Sequence, residues 1–455
     1  MNDPDTSEQD IKGKTGFIMI NIDSATQLLR EFIRIDTSNP PGNEEKAVTF
    51  LESIIQNEGL STEIYMSVPK RANIISRIEG RKKGKPVILL GHVDVVPAKA
   101  DEWDVDPFSG DMKDGFIYGR GAIDMKGQII CQLLSFINLY KKGIVPERDI
   151  IFLATCDEEV GGKHGLEYMM KQVKELRDAS FVLSEGGCIM NEDGFHHAQI
   201  SVDEKQLSQF MLKAVGMGGH GSKPHKNNAN EKIVNAAQAI LSYNWPFKPT
   251  GIVNTYMNGI FKDKKGKGFA YTNLKETLKN KHFKGFLEDN PSYNSLLRNT
   301  VTLTILEGGD KVNVIPASSQ AYFDARLLPT ESHEVFFKKI KKLCGDDVEI
   351  EQIGSGTSKS IPSGFNNNYF RGIRQIVKKL KGPIPVLPFL MTGASDLRYF
   401  RNLGILSYGF FPATFTNDEF LRMHGKNERI SVEALNEGLE GTNEIVKFLA
   451  SYSVI

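Results

Sequence analysis

Along the first 190 residues the apolar positions switch repeatedly between a helical period near 3.6 and short continuous runs. Segments 24–36 and 43–60 carry the helical period, and in the second Ala47, Val48, Leu51, Ile54 and Ile55 share one face. Residues 73–78 and 87–96 read as strands joined by a polar turn over 80–84. A helix over 125–142, a strand over 149–155, a helix over 163–178 and a strand over 180–184 follow. Buried apolar strands alternating with helices predict a largely parallel sheet covered on both sides.

The pattern changes near residue 200. Residues 198–215 alternate as antiparallel strands do, 231–243 is helical, and the lysine-rich stretch 262–284 reads as a solvated excursion. Strands over 301–307 and 320–326, a helix over 331–343 and a strand over 347–353 complete an α+β block. From about 365 the βα style returns, with helices over 368–381 and 432–450 around strands at 385–390 and 405–411. The expected organisation is one discontinuous α/β domain, 21–200 and 354–455, interrupted by an inserted domain at 201–353. Residues 1–20 are expected to be a disordered leader.

Composition narrows the class. A chain of 455 residues with 40% hydrophobic residues has ample core for two or three domains. The balance of 56 Lys+Arg against 56 Asp+Glu removes the broad electrostatic drive of nucleic-acid and anionic-membrane binders, so neither partner is expected. Cys131, Cys156, Cys188 and Cys344 have no CxxC spacing, which fits reduced thiols and a cytoplasmic setting. No run approaches the 18 or so apolar residues of a membrane span.

Candidate chemistry gathers where strands end. His92 and Asp94 stand in HxD spacing in a strand too apolar to carry charge without a partner. A metal-bound His92 tuned by Asp94 is one explanation, and a salt-bridged pair at a strand end is the other. Asp124 directly precedes the helix over 125–142, where an N-cap is expected. A dinucleotide fingerprint at 119–124 fails, because an acid would sit where a pyrophosphate must lie. Asp157, Glu158 and Glu159 end one strand and Glu185 the next, at the edge where open α/β sheets place their ligands. Adjacent glutamates can divide labour, one binding a metal while the other acts as base. His424 lies in a late polar loop. Taken together, His, Asp, Glu, Glu and His form a donor set that a borderline divalent ion such as zinc accepts, and one bridging carboxylate would let it hold two ions.

At these residues the chain resembles the dinuclear-zinc metallohydrolases that include aminoacylase-1, acetylornithine deacetylase, succinyl-diaminopimelate desuccinylase, vacuolar carboxypeptidase S and glutamate carboxypeptidases. The matching stretches are 91–97, 103–110, 118–127, 157–162, 184–187, 218–224, 309–316 and 423–425, in family order. The resemblance implies a zinc-exopeptidase-like α/β fold: a mixed, mainly parallel sheet sandwiched by helices, with an inserted α+β lid and dimerisation domain.

It further implies Asp124 as the bridging ligand, His92 and Glu185 on one ion, and Glu159 and His424 on the other. Asp94 would orient His92, Glu158 would be the general base, and a cis peptide would join Asp124 to Met125. His220 would reach the active site of a partner subunit in a homodimer to stabilise the oxyanion, while Asn313 and Arg326 would contact substrate, the arginine by gripping a carboxylate. The thiol-free ion pair would be zinc, with cobalt or manganese as alternatives.

The implied reaction is hydrolysis of an N-acyl amino acid or short peptide with a free carboxylate. An acetylornithine-type deacetylase or desuccinylase is the rival enzyme, and a non-catalytic ligand-binding relative is the rival of another class. The loop 392–396 departs from the Gly-Gly-Thr-Asp form common in relatives.

Overall fold

The computed structural model describes residues 22–452 apart from 263–270, 355, 357 and 358, so the expected leader at 1–20 lies outside the described residues. Ten strands build one mixed sheet. Its centre is parallel: Ile150–Thr155, Val87–His92, Phe181–Ser184 and Ser407–Gly409 lie side by side. Antiparallel Arg71–Ile78 and Thr62–Val68 extend one side. The other carries the long Phe195–Glu204 strand, which pairs with Ile189–Glu192 and Val386–Met391.

Every residue of Val87–His92 and Ile150–Thr155 is buried, as two covered faces require. One cover is the helix Lys126–Lys141, which is enclosed nearly all round by the sheet, Ile22–Ile33 and Val432–Ser451. Its one charged residue in the core, Lys126, donates from Nζ to Phe32 O at 3.1 Å and Ile35 O at 2.7 Å, at the C-terminal end of Ile22–Ile33 and just beyond it. The opposite face is packed by Leu166–Gln172 and Leu397–Asn402 through Leu166, Met169, Leu397 and Phe400.

A second, five-stranded sheet holds Gln206–Leu207, Ser318–Leu327, Phe210–Val215, Glu349–Gln352 and Thr300–Glu307. Helices Ala229–Leu241 and His333–Cys344 cover one face, closing a separate core around Phe210, Ile233, Phe323 and Phe336. Burial alternates along Ser318–Leu327, the mark of a sheet with one dry face.

Several expectations are corrected. The strand expected over 87–96 stops at His92, so Asp94 lies in the loop beyond it. There Val93 N still bonds Thr155 O, but Val95 N turns to Thr37 O. The helix expected over 163–178 is a shorter helix Leu166–Gln172 and a 3₁₀ turn Lys174–Asp178. Thr62–Val68 escapes sequence reading because this outer strand has no buried residue to set a pattern.

The stretch 262–284 is not wholly solvated. Its residues 263–270 lie outside the described set, but Leu274 and Phe283 are buried. Lys281–Glu288 presents Phe283 and Leu287 to the core of the large sheet, one helical turn apart, while its lysines face outward.

Candidate metal centre

Six of the expected side chains converge at the C-terminal ends of the central strands of the large sheet. His92 closes the Val87–His92 strand, Glu158 and Glu159 form a 3₁₀ turn after Ile150–Thr155, and Glu185 follows Phe181–Ser184. Asp124 enters from the loop before Lys126–Lys141, joined to Met125 by a cis peptide, and His424 arrives from a turn with φ 60°.

Asp124 stands at the centre. Its Oδ1 lies 3.0 Å from His92 Nε2 and its Oδ2 3.0 Å from His424 Nε2, so each oxygen faces one imidazole. Glu185 flanks the first at 3.6 Å from His92 Nε2, and Glu159 the second at 3.4 Å from His424 Nε2. Asp124 does not cap the following helix, whose N-cap is Met125 without a side-chain bond.

Two groups of ligand atoms, His92–Asp124–Glu185 and Asp124–Glu159–His424, each lie within 4.8 Å of one another and share Asp124. Their chemistry fits a pair of divalent cations. Glu159 Oε1 is buried without a hydrogen-bond partner, and the carboxylates crowd together out of water. Burial and the charge of Asp124 push the Glu185 carboxyl up to about 8. Burial first, and Glu185 second, hold Glu158 well above the carboxylate range. Burial would lower both histidines, yet Glu185 and Asp124 hold His92 well above its ordinary value, and Asp124 with Glu159 pushes His424 up to about 11. Burial and mutual repulsion raise the glutamates, carboxylate neighbours raise the imidazoles, and Asp124, facing both imidazoles, is held well below its ordinary value. Divalent cations would take over from the protons in compensating these carboxylates.

The surrounding shell explains the precision. His92 Nδ1 meets the backbone carbonyl of Asp94 at 2.9 Å, with the Asp94 carboxylate farther off at 3.6 Å. That carboxylate instead accepts the backbone N–H groups of Glu158 at 3.1 Å and Glu159 at 3.2 Å, and Asn39 Nδ2 at 2.8 Å. Asp94 thus grips the glutamate turn more than the histidine. Asp157, in a left-handed conformation at φ 71°, is bound by Arg71, which also pairs with Glu44 at 2.9 Å.

Sequence reasoning missed Arg71, Glu44, Asn39, Arg120 and Glu428. The available signal was charge in apolar or glycine-rich surroundings: Arg120 stands between two glycines, and Arg71 opens a strand whose next five residues are buried.

The other three expected residues lie elsewhere in this chain. His220 and Asn313 lie at an exposed two-stranded antiparallel pair formed by distant segments, where His220 pairs with Val314 and Gly221 N bonds Asn313 O at 2.8 Å. Arg326 sits on the second sheet and makes a two-point contact with Asp324, at 2.7 and 3.1 Å. Among the described residues no hydrogen bond or ion pair links these three to the cluster.

Comparison with known proteins supplies the family. Residues 88–447 match the peptidase family M20/M25/M40. An N-fatty-acyl-amino acid synthase/hydrolase from Xenopus tropicalis is 32% identical over 77% of this chain and 70% of its own length. Mouse aminoacylase-1 is 29% identical over 93% of this chain and 95% of its own. In structure, an M20 family metallo-carboxypeptidase from Sulfolobus solfataricus superposes with a TM-score of 0.70 at 21% identity, covering 94% of this chain and 99% of that one.

Proposed function

Because the chain belongs to the peptidase family M20/M25/M40, we propose that it cleaves the amide bond of N-acyl amino acids or short peptides that carry a free carboxylate. That it is a metal-dependent hydrolase of amide or peptide bonds follows from the family itself. The observation that carries the assignment of residues is Asp124, with one oxygen toward each histidine and a glutamate beside each.

In this reading His92, Asp124 and Glu185 hold one divalent ion, and Asp124, Glu159 and His424 hold the other, zinc being the first choice for such a donor set. When bound, the ions supply Lewis acidity for the scissile carbonyl and lower the pKa of water toward neutrality. Glu158 is the proton carrier. Lying beside the ligand cluster but in neither ligand group, it is free to take a proton from the attacking water and return it to the departing amine. Asp94 keeps Glu158 in place through the backbone.

Residues 201–353 serve as a lid and homodimer surface, a role supported by the exposed apolar side chains Val215, Met217, Leu306 and Val312. In the dimer His220 of one copy would complete the site of the other, and Asn313 and Arg326 would receive the substrate. For Arg326 this requires sharing with Asp324. A cytoplasmic setting is supported by the four free cysteines, and no helix among the described residues is long and apolar enough to cross a membrane.

The test is amine release from a panel of N-acetyl and N-fatty-acyl amino acids, dipeptides, N-acetylornithine and N-succinyl diamino acids, with zinc, cobalt or manganese. Turnover of the first three classes is expected. Turnover confined to the last two would favour the deacetylase or desuccinylase. A chain that binds two ions yet cleaves nothing would favour a ligand-binding relative.

A further inference from the structure

The turn that carries Glu158 and Glu159 is irregular. It opens on Asp157 at φ 71° and closes on Gly161 and Gly162 at φ 113° and 74°; bonds from Gly161 N to Glu158 O at 2.9 Å and from Gly162 N to Asp157 O at 2.6 Å hold its shape, while its orientation on the sheet depends on what grips its two ends. Asp94 and Arg71 fasten the front of the turn. Its back is fastened from a different part of the chain. Gly161 O accepts Arg398 Nη2 at 2.9 Å and the Tyr399 hydroxyl at 2.8 Å.

Arg398 is buried to 6% exposure, and no carboxylate lies within ion-pair distance of it among the described residues. Its Nη1 donates to Ser395 O at 2.6 Å, and the guanidinium lies 4.6 Å from the centre of the Tyr399 ring. Burial would lower the proton affinity of this guanidinium, but the charges of Asp396 and Glu204 hold it above its ordinary value, so Arg398 stays a cation and can donate to both backbone carbonyls. The placement of those carbonyls gives it a purpose.

Ser395 is itself anchored. Its Oγ donates to Glu204 Oε2 at 2.7 Å, and Glu204 ends the long strand at the crossover to the second sheet. Gly162 is pressed against the same segment, since a Cβ there would lie 2.6 Å from Asp396 Oδ1.

We propose that Arg398 and Tyr399 are positioning residues, which through the carbonyl of Gly161 set the orientation of the turn bearing the base Glu158 and the metal ligand Glu159. The inference rests on the roles proposed for those two glutamates. Among the described residues neither Arg398 nor Tyr399 makes a hydrogen bond or ion pair to the ligand cluster, so the contact reaches the glutamates through the backbone of one turn, beside the longer-range charge of Arg398 on Glu158. Asp94 and the Arg398–Tyr399 pair hold that turn at opposite ends, and loss of either lets the glutamates rotate.

The variants are Tyr399→Phe, which deletes one bond from a partly exposed hydroxyl, and Arg398→Lys, which keeps the charge but cannot span both carbonyls. Metal-free protein is titrated with cobalt by calorimetry, and kcat and KM are measured separately. The step lost in a Glu159→Gln variant identifies the ion that Glu159 holds. In Arg398→Lys that step is expected to weaken roughly tenfold while the other is unchanged, and kcat falls roughly 10-fold with KM little altered. Tyr399→Phe should show the same pattern more weakly.

Two unaltered binding steps with wild-type kcat in both variants would overturn the proposal. Equal weakening of both steps together with a lowered Tm would also overturn it, since that is the signature of a merely structural role. If the wild-type protein took up fewer than two ions, the reading of the site would fall first, and the clamp with it.

Discussion

Glu428 reaches Arg120 across 308 positions of sequence, with Oε2 2.6 Å from Nη1 and both side chains buried. The same carboxylate accepts the backbone N–H groups of Gly121 at 3.1 Å, Ile123 at 2.8 Å and Asp124 at 3.2 Å. Arg120 in turn donates to His424 O at 3.1 Å. One buried pair therefore ties the loop of Asp124 to the loop of His424, and the two ligands meet because of it.

Replacing Glu428 by Gln should destabilise the protein by roughly 3–5 kcal/mol, the usual cost of leaving one member of a buried ion pair alone. Denaturant unfolding of the metal-free chain measures it. Affinity for the ion between Asp124 and His424 should fall as well. A variant with wild-type stability would mean that the pair contributes nothing net.

Glu158→Gln keeps the shape of the side chain and removes its capacity to carry a proton. Two ions should still bind, because Glu158 belongs to neither ligand group. Turnover should drop by roughly two orders of magnitude or more if Glu158 is the base. Metal analysis beside kcat separates this outcome from simple loss of the site.

Asp94→Ala removes the acceptor for the backbone of Glu158 and Glu159 and for Asn39. Both kcat and the affinity for the ion held by Glu159 should fall by roughly 10- to 100-fold. Had Asp94 acted only on the His92 ring, the ion at Glu185 would suffer instead, and stepwise metal titration distinguishes the two.

The metal-free protein should lose stability as pH rises. Glu185 titrates near 8 in the folded chain against an ordinary 4.5, and His424 near 11 against 6.5, so the folded state binds more protons than the unfolded one between pH 4.5 and 11. Stabilisation from both is complete below the ordinary values and disappears as pH rises through the folded ones. Bound metal should reverse the trend, since it requires deprotonated ligands and binds them better at higher pH. Thermal unfolding at pH 6 and pH 9, with and without zinc, checks the sign.

The strands and helices that carry the site were legible because they are long and periodic. The segment 368–381 is a helix over those same residues, and Lys126–Lys141 lies within one residue of expectation. The 3₁₀ turn at Glu158 was not legible, nor was the division of Asp94 between the His92 ring and the glutamate backbone. Both depend on partners from other parts of the chain.

Residue types and order determined the candidate donors: two histidines and three carboxylates placed in loops and at strand ends, with Glu158 adjacent as the proposed base. Pattern and composition can reveal this much because burial forbids charge in a strand unless something compensates it. Only the tertiary structure decided that Asp124 turns one oxygen to each histidine, and that Glu428, Arg120 and Arg71 hold the loops in register. Those choices rest on hydrogen bonds between segments far apart in sequence, whose angles and distances no local pattern encodes. The fold supplies them by bringing the strand ends to one edge.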